Sequence, residues 1–420
     1  MLALIAYLLT AVAVGIFSYR GFELYKKISS GQSDPSRFNN KGVRLKNMLV
    51  EVLSHTKMLN FTVTGIAHWF VMIGFGALLG TLVTAYGQLV NPEWVLPVIG
   101  HFVGYELFVE FIAAATGVGI VALIGIRQFT KVARPGRKSR FFGSGNKKAY
   151  YVEATILAVV FCVIALRGLE GALLNIDSWS WHYAISYPAV LFFSDYSTAQ
   201  IENLIQVIAF TKITVSMAWF IVVGINLTMG IAWHRFLAFF NIYFKRTPGK
   251  VNALGPLPVM LSHGKEINFE DPKEDDVFGI GTAADISWKG LLDMSTCTEC
   301  GRCQSQCPAW HTEKPLSPKL LIMAMRDHAL TKVGTEAAAT TKIVGNAHEN
   351  AISLDVLWSC TTCGACVEEC PVDIEHVDHI VNMRRFQVLV ESEFPTELGN
   401  TFRNLEKSGN PWGANRVDRD

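Results

Sequence analysis

The chain carries the segment Cys297-Thr-Glu-Cys300-Gly-Arg-Cys303-Gln-Ser-Gln-Cys307-Pro308, and its cysteine spacing returns in Cys360-Thr-Thr-Cys363-Gly-Ala-Cys366-Val-Glu-Glu-Cys370-Pro371. Three cysteines at intervals of three residues let a tight loop wrap three corners of an iron–sulfur cubane, since thiolates suit soft iron. A glycine in each loop relieves crowding where the backbone nears the cluster. The two runs therefore predict two [4Fe–4S] clusters.

The fourth cysteine of each run precedes a proline and is expected to reach the cluster of the other run. A zinc site would instead show paired CxxC units, so zinc is disfavoured. Cys162, the ninth cysteine, lies in an apolar segment and is interpreted as a small buried hydrophobe. The expected ligands are Cys297, Cys300, Cys303 and Cys370 for one cluster, and Cys360, Cys363, Cys366 and Cys307 for the other.

The composition of the 420 residues points to a membrane protein, because 50% are hydrophobic and only 17% are charged. Nucleic-acid binding is excluded as a function class, since the basic residues flank apolar segments and form no single basic face. Five segments are long and apolar enough to cross a bilayer. They run Leu2 to Tyr19, Phe61 to Tyr86, Trp94 to Ile126, Val152 to Leu174 and Ile201 to Phe240.

We therefore predict an all-α fold: a five-helix transmembrane bundle like that of a cytochrome b, followed by an α-helical domain with two [4Fe–4S] clusters. The expected domains are a haem-binding membrane domain (residues 1–244), a connector (245–290) rich in Gly, Pro and charge, and a ferredoxin-type domain (291–420). The four histidines His311, His328, His376 and His379 of the last domain are expected at its surface, because their neighbours are polar.

The distribution of basic residues predicts the orientation. Residues 20–60 contain eight Lys or Arg and residues 127–148 contain eight more, whereas residues 87–100 and 171–200 contain none. Because basic loops stay in the cytoplasm, the sequence predicts a multi-pass protein of the cell membrane. Its N-terminus, an uncleaved anchor, would lie outside and its iron–sulfur domain in the cytoplasm.

Histidine is costly in a bilayer unless it has a ligand or partner, so the histidines there are candidate haem ligands. His68 lies within the second span, His55 precedes it, and His234 lies near the end of the fifth. Two imidazoles facing each other across a bundle bind haem b. An interfacial or helix-capping role is the alternative for all three. That alternative is favoured for His101 and His182, which lie toward the outer face.

Charged residues also fall at membrane depth. Quinone chemistry needs groups that exchange protons, and Glu106, Glu110 and Lys212 are candidates for a quinone site. Interhelical ion pairs, such as one between Glu110 and Lys212, explain the same residues equally well. Arg167 and Glu170 belong to this set too.

Taken together, these motifs resemble a known group of proteins. The stretches His68-Trp-Phe-Val-Met-Ile-Gly74-Phe75 and His234-Arg-Phe-Leu-Ala-Phe-Phe-Asn241 resemble the cytochrome b of the nitrate reductase gamma subunit and of membrane heterodisulfide reductases. The cysteine runs, with Leu316-Ser-Pro318 between them, resemble the iron–sulfur part of heterodisulfide-reductase-related oxidoreductases. The order of the two halves is similar to that of actinobacterial membrane electron-transfer-flavoprotein:menaquinone oxidoreductases.

The resemblance implies a respiratory-chain relay of electrons from a cytoplasmic donor, such as electron-transfer flavoprotein, through the clusters and haem b to menaquinone. Two-haem relatives have a second histidine where this chain has Thr211 to Met217, so either one haem or two is implied. Relatives also continue into CCG-type domains, implying a further subunit or a C-terminal extension. Two alternatives stay open: a quinol-oxidising subunit of a heterodisulfide or sulfur-compound reductase, and a haem-free anchor for a ferredoxin module.

Overall fold

The computed structural model describes residues 1–133, 135–249, 254–346, 349–415 and 417. Residues 134, 250–253, 347–348, 416 and 418–420 of the predicted domains lie outside this range. The α-helices, in chain order, are α1 (Leu2–Ser29), α2 (Lys41–Leu53), α3 (Thr62–Ala77), α4 (Leu79–Gln88), α5 (Val103–Ala133), α6 (Asn146–Leu173), α7 (Tyr187–Phe193), α8 (Thr198–Ile225), α9 (Gly230–Tyr243), α10 (Trp288–Thr296), α11 (Arg302–Ser305), α12 (Pro308–His311), α13 (Pro318–Lys332), α14 (Ala337–Thr340), α15 (Leu354–Trp358), α16 (Ala365–Glu369), α17 (His376–Leu389) and α18 (Thr396–Ser408).

The described strands are short, which confirms the all-α prediction. The strands β1 (Leu261–Ser262) and β2 (Lys265–Glu266) form an antiparallel hairpin. Its two-residue turn has positive φ at His263 (50°) and Gly264 (77°), as a hairpin turn of this length requires. The strands β3 (Val344–Gly345) and β4 (Ile352–Ser353) pair in parallel.

Four described helices are long and apolar enough to cross a membrane, namely α1, α5, α6 and α8. The pair α3 and α4 adds a fifth span if it is counted as one helix bent by 41°. The expected third and fifth spans need correction at their ends. The third helix begins at Val103 instead of Trp94, and the fifth ends at Ile225, after which α9 starts at Gly230. The stretch 201–240 is apolar on average, so its mean composition does not reveal this break, in which Asn226 and Thr228 lie.

The chain forms two compact units. The first comprises residues 1–25 and 49–233, and the second comprises residues 26–48 and 234–420. The second unit thus includes the basic segment 26–48, which the predicted domain borders assign to the membrane part. The proposed borders at 244 and 290 stay a prediction.

The first unit packs its helices through small residues. In α5, a methyl group added at Gly119 would lie 2.7 Å from the Ala67 carbonyl oxygen of α3. On α1, Ala6 and Ala13 are fully buried in the core that α6 and α8 share. Small side chains of this kind let helix backbones approach closely in a bilayer, where van der Waals packing replaces the hydrophobic effect between helices.

The second unit has one main apolar core. It is built around α10, α13 and α17, and it includes Leu291, Ile322, Met325 and Ile380, all at most 1% exposed. The segment 26–48 joins it through backbone bonds, from Gln32 N–H to the Ile286 carbonyl (2.9 Å) and from Trp288 N–H to the Gln32 carbonyl (3.1 Å). Cys297 and Cys307 lie within this core, so it supports the first cysteine run directly.

Candidate iron–sulfur, haem and quinone sites

The two cysteine runs adopt the same local structure. Gly301 (φ 73°) and Gly364 (φ 78°) occupy left-handed backbone positions that start the short helices α11 and α16. Two residues earlier, the equivalent residues Glu299 (φ 57°) and Thr362 (φ 56°) also have positive φ. Positive φ is uncommon for residues other than glycine, so its recurrence at matched positions shows that the two loops are conformational copies.

The sulfur of Cys303 lies beside cysteines of both runs. Burial raises the pKa of Cys303 well above its usual value, and the neighbouring thiols that add most to the rise belong to Cys300 and Cys370, followed by Cys297. Cys370 of the second run is therefore close to Cys303 of the first. A buried thiol resists ionisation by itself. A group of such thiols suits a metal site, because a bound metal stabilises all of them as thiolates.

Cys307 shows the reciprocal arrangement. Burial raises its pKa, the backbone N–H groups of Trp310 and Ala309 oppose the rise, and the thiols that add to it are those of Cys360 and Cys363. For Cys366 the thiols of largest effect on the pKa after burial are Cys360 and Cys307. The fourth cysteine of each run thus lies among cysteines of the other run, as the crossed ligand assignment requires. That assignment itself stays a prediction.

The two loops differ in their exposure. Cys303 is buried and Cys300 is half-buried, whereas Cys363 is exposed together with Thr361 and Thr362. Within the second unit, a cluster held by the run at 360–370 would consequently have an edge at the surface, and one held by the run at 297–307 would be enclosed.

A buried carboxylate links the segment before Cys297 to the segment after Cys370. Asp293, on the helix that leads into Cys297, is 0% exposed and accepts hydrogen bonds from Lys289 Nζ (2.5 Å) and Asn241 Nδ2 (2.8 Å). Asn241 also donates to the carbonyl oxygen of Val372, two residues after Cys370 (2.7 Å). Although burial opposes ionisation, the Lys289 ammonium holds the pKa of Asp293 well below its usual range.

Two histidines in this region differ from expectation. His379 is 6% exposed and its Nε2 lies 3.0 Å from Asp293 Oδ2, and His376 is 1% exposed. The prediction that both lie at the surface is wrong, because polar neighbours in the sequence here form a buried network. His379 and Asp293 are separated by 86 residues, so no local pattern marks their contact. His311 is exposed, as expected.

The histidines at the predicted haem site divide between the units. In the first unit, His55 Nε2 lies 3.0 Å from His68 Nδ1, and His55 Nδ1 lies 2.7 Å from the carbonyl oxygen of Val52. Since a carbonyl only accepts, His55 Nδ1 carries the proton and its Nε2 accepts from His68 Nδ1. Neutral His68 then has its lone pair on Nε2. Burial lowers the pKa of His55, which agrees with a neutral ring.

This chain of hydrogen bonds gives different roles to the two predicted ligands His55 and His68. His55 is committed to Val52 and His68, whereas the His68 nitrogen that suits a metal is Nε2. Nε2 of His68 would suit one axial position of a haem b, with His55 as its support, since metal-bound histidines characteristically donate their other N–H to a neighbouring group. His234 lies on α9 in the second unit, and its role as a ligand stays a prediction.

The charged side chains at membrane depth lie around Arg167, whose central position was not predicted. Its guanidinium donates to Glu170 (2.8 Å), Glu106 (3.2 Å) and Glu110 (3.3 Å). Glu110 also accepts from the backbone N–H groups at 185 (2.8 Å) and 186 (3.1 Å), and it is 0% exposed. Glu110 therefore pairs with Arg167 instead of Lys212 and anchors the turn before α7. His182 contacts the second carboxylate oxygen of Glu106.

Lys212 has a different set of partners. Its Nζ donates to the carbonyl oxygen (2.8 Å) and the hydroxyl (2.7 Å) of Thr81, which follows the bend between α3 and α4. A bent helix exposes backbone carbonyls that must be satisfied in the absence of water. This contact accounts structurally for a fully buried lysine in the bundle.

A cavity of about 50 Å³ lies between these groups. Its lining includes Thr81, Gln88, Tyr105, Glu106, Arg167, Glu170 and Lys212. Three polar side-chain atoms of the described residues that line this cavity have no hydrogen-bond partner: the Tyr105 hydroxyl and one side-chain oxygen each of Gln88 and Glu170. Buried polar groups characteristically have hydrogen-bond partners. Three unpaired polar atoms around one cavity therefore indicate space for a polar molecule or group, such as water or a ligand carbonyl.

Comparison with known proteins agrees with this organisation. Residues 289–371 match the 4Fe–4S dicluster domain family. The chain is 34% identical over 210 residues to the EtfAB:quinone oxidoreductase of Syntrophomonas wolfei, covering 44% of this chain and 27% of that protein. It is 36% identical over 231 residues to a probable iron-sulfur-binding oxidoreductase of Bacillus subtilis, covering 45% of this chain and 32% of that protein.

A third relative is one subunit of the ferredoxin:CoB-CoM heterodisulfide reductase of Methanosarcina mazei, 31% identical over 101 residues, or 23% of this chain and 48% of that polypeptide. No solved structure matches the chain. The chain spans about a third or less of the first two relatives. It carries a 4Fe–4S dicluster domain and membrane-capable helices, and it is related to membrane iron–sulfur oxidoreductases with names that refer to quinone and heterodisulfide chemistry.

Proposed function

We propose that the chain is a membrane-bound, quinone-linked oxidoreductase or the electron-transfer subunit of one. Electrons from a cytoplasmic donor enter two [4Fe–4S] clusters and continue to haem b and menaquinone. The observation that supports the proposal most is the proximity of the two matching runs, since Cys370 adds to the rise that burial causes in the pKa of Cys303, and Cys360 does the same for Cys307. Two adjacent runs of this spacing suit two neighbouring clusters. The name of the Syntrophomonas relative supports electron-transfer flavoprotein as the donor and quinone as the acceptor.

The eight predicted cysteines would hold the clusters, with Cys370 completing the first site and Cys307 the second. A cluster stores and passes one electron at a time, and the protein contributes the enclosure and charge that tune its potential. The exposed loop around Cys363 is the surface on which a soluble donor docks. A further CCG-type subunit or extension would bind at the same surface.

In the membrane part, His68 is the proposed haem ligand that the geometry supports, with His55 orienting its ring. A bound haem b would supply one-electron chemistry between the clusters and the quinone. The chain's own contribution is the hydrogen-bond chain from His68 through His55 to Val52, which fixes the ring and its tautomer. With His55 as a support, His68 and His234 are the two predicted ligands that are left, and one haem is proposed.

For the quinone we propose the cavity beside Glu106 and Glu170. Its lining combines carboxylates, the Tyr105 hydroxyl and the Lys212 ammonium, which are the groups that accept, donate and exchange protons with a quinone carbonyl. Glu106 contacts His182, whose side chain is 45% exposed, so a buried acid is linked to a group that reaches the surface. Glu110 is proposed as a structural residue, since Arg167, the backbone N–H groups at 185 and 186 and the Ser186 hydroxyl all donate to its carboxylate.

The proposed location is the cell membrane, with the N-terminus outside and the iron–sulfur domain in the cytoplasm. Two observations support it: the asymmetry of basic residues between the loops, and the presence of the basic segment 26–48 in the same compact unit as the cysteine runs. Both observations are expected if that segment and the clusters share one side of the membrane.

One alternative has an observation in its favour. The similarity to a heterodisulfide reductase subunit would also suit a chain that oxidises quinol and feeds a cytoplasmic reductase. The same cofactors serve both directions, so the two functions differ in the soluble partner. Reduction of the clusters by electron-transfer flavoprotein supports the first, and their oxidation by a disulfide reductase supports the second.

The test is a dithionite-reduced minus oxidised absorption spectrum of the purified full chain in detergent, with iron and haem quantified. The proposal expects a haem b α-band together with about eight iron atoms per chain beyond haem. Full iron without a haem band would refute the relay and leave a membrane-anchored ferredoxin module. Loss of the band in the His68→Ala variant, with iron retained, would assign the ligand.

A further inference from the structure

Helix α13 begins against the first cysteine run. The Ser317 hydroxyl donates to Gln304 Oε1 (2.7 Å), and it accepts from the Leu320 N–H (3.2 Å) as the cap of the helix. Gln304 follows Cys303 in the sequence and is 0% exposed. The cap therefore fixes the first turn of α13 beside the loop that would wrap the first cluster.

That turn carries a buried cation. Lys319 is 1% exposed. Burial lowers the pKa of its ammonium to about 8, and the charges that act against this lowering are, in order, those of Cys303, Cys300 and Cys297, with Glu299 after them. The three predicted ligands of the first cluster thus lie near Lys319, together with the Glu299 carboxylate.

A second buried cation nearby differs in its partners. Arg326, further along α13, is 2% exposed but donates to Glu299 (2.9 Å) and Asp327 (2.9 Å). Its charge is balanced by two carboxylates. Both cations act on cysteines of the first run, Arg326 on Cys297 and Lys319 on Cys303, Cys300 and Cys297.

A [4Fe–4S] cluster with four thiolate ligands is anionic, and reduction makes it more so. Enclosure in protein disfavours the added charge and lowers the reduction potential, while a cation in the enclosure favours it and raises the potential. The cluster held by the run at 297–307 would be the enclosed one. Without a compensating charge it would be a poor acceptor for electrons that arrive at the exposed loop of the other run.

We propose that Lys319 is a positioning residue for electron transfer: its charge raises the reduction potential of the enclosed cluster and so lets that cluster accept electrons from the exposed one. The proposal rests on the two clusters of the proposed function and is independent of haem and quinone.

The second run offers a matched cation. Arg384 donates to the carbonyl oxygens of Leu357 (2.8 Å) and Cys360 (2.7 Å), and its guanidinium lies 4.8 Å from the centre of the Trp358 ring. It is half-buried beside the exposed loop. Its removal should act on the second cluster and leave the first unchanged, so it serves as the internal comparison.

The experiment is a potentiometric titration of the full chain in detergent, followed by electron paramagnetic resonance, with iron counted for each variant. Lys319→Met should shift the reduction equilibrium of one cluster against reduction by at least about tenfold, equal to about 59 mV for one electron. Lys319→Arg should restore the potential, because it keeps the charge. Arg384→Gln should shift the reduction potential of the second cluster only. Lys314→Met, at an exposed position, should shift neither potential.

Two results would overturn the proposal. One is a Lys319→Met chain with full iron and both potentials unchanged, and the other is an equal shift in Lys319→Met and Lys319→Arg, which would indicate a packing effect. If the Lys319→Met chain loses iron, the reduction potentials of the Lys319→Gln and Lys319→Arg chains are compared instead. Equal potentials in these two variants would refute the role of the charge. Absence of haem or of quinone reduction would affect the proposed function alone.

Discussion

The buried carboxylate of Asp293 offers a quantitative prediction. Replacing it with asparagine keeps the shape of the side chain but removes the charge that compensates Lys289, which is 1% exposed and 2.5 Å away. The new amide would also turn its nitrogen toward one of the donors now bound to the carboxylate, either Lys289 and Asn241 at one oxygen or His379 at the other.

Breaking a buried ion pair by removing one partner costs about 3–5 kcal/mol, a large share of the roughly 5–15 kcal/mol that stabilises a typical domain. We expect Asp293→Asn to destabilise the iron–sulfur domain by about that amount. The assay is loss of the visible cluster absorbance during denaturation of the detergent-solubilised chain by guanidinium chloride. The exposed Asp275→Asn variant is the control, since the side chain of Asp275 is 77% exposed.

A second variant separates charge from packing. In Asp293→Asn combined with Lys289→Met, no buried charge of the pair is left, so part of the lost stability should return. The reasoning is refuted if the single variant costs less than about 1 kcal/mol, or if the double variant is no more stable than the single one. Either result would mean that the carboxylate is dispensable for holding the segments around Cys297 and Cys370.

Three further predictions concern the other sites. Cys370→Ser should abolish the cluster of the first run and leave the other, so that iron falls by about half and one resonance signal remains. His68→Ala should remove haem, whereas His55→Ala should retain it with an altered potential and low-spin signal, since only the support of the ring is lost. Glu106→Gln should slow quinone reduction and change its pH profile. Glu110→Gln should instead lower the thermal midpoint by an amount that corresponds to about 1–3 kcal/mol, with the quinone KM unchanged.

Much of the fold followed from the sequence because its signals are local. The spacing of Cys297, Cys300 and Cys303 predicts a tight loop, and the loop appears with a left-handed glycine at its centre. Long apolar stretches predict helices, and the described helices confirm them. The break after Ile225 was missed, because Asn226, Thr228 and Gly230 are single residues within a stretch that is apolar on average.

The arrangement of charges was harder to predict because it depends on contacts between distant residues. Glu110 and Lys212 are a reasonable pair by composition, yet Arg167 lies within reach of three carboxylates and takes Glu110. His379 is polar and has polar neighbours, yet it is buried against Asp293. The role of His55 likewise emerges only from the direction of its hydrogen bonds. Spacing identifies candidate residues, and tertiary contacts decide between their roles.

The most direct test of the account is to add a soluble menaquinone analogue, without oxygen, to the full chain in detergent after its clusters and haem have been reduced. The account predicts that haem and clusters are both reoxidised and that quinol forms in proportion to the electrons lost. In the His68→Ala variant the clusters should stay reduced. Reoxidation of the clusters at the same rate in that variant, or no quinol from the wild-type chain, would contradict the proposed path from iron–sulfur clusters through haem to quinone.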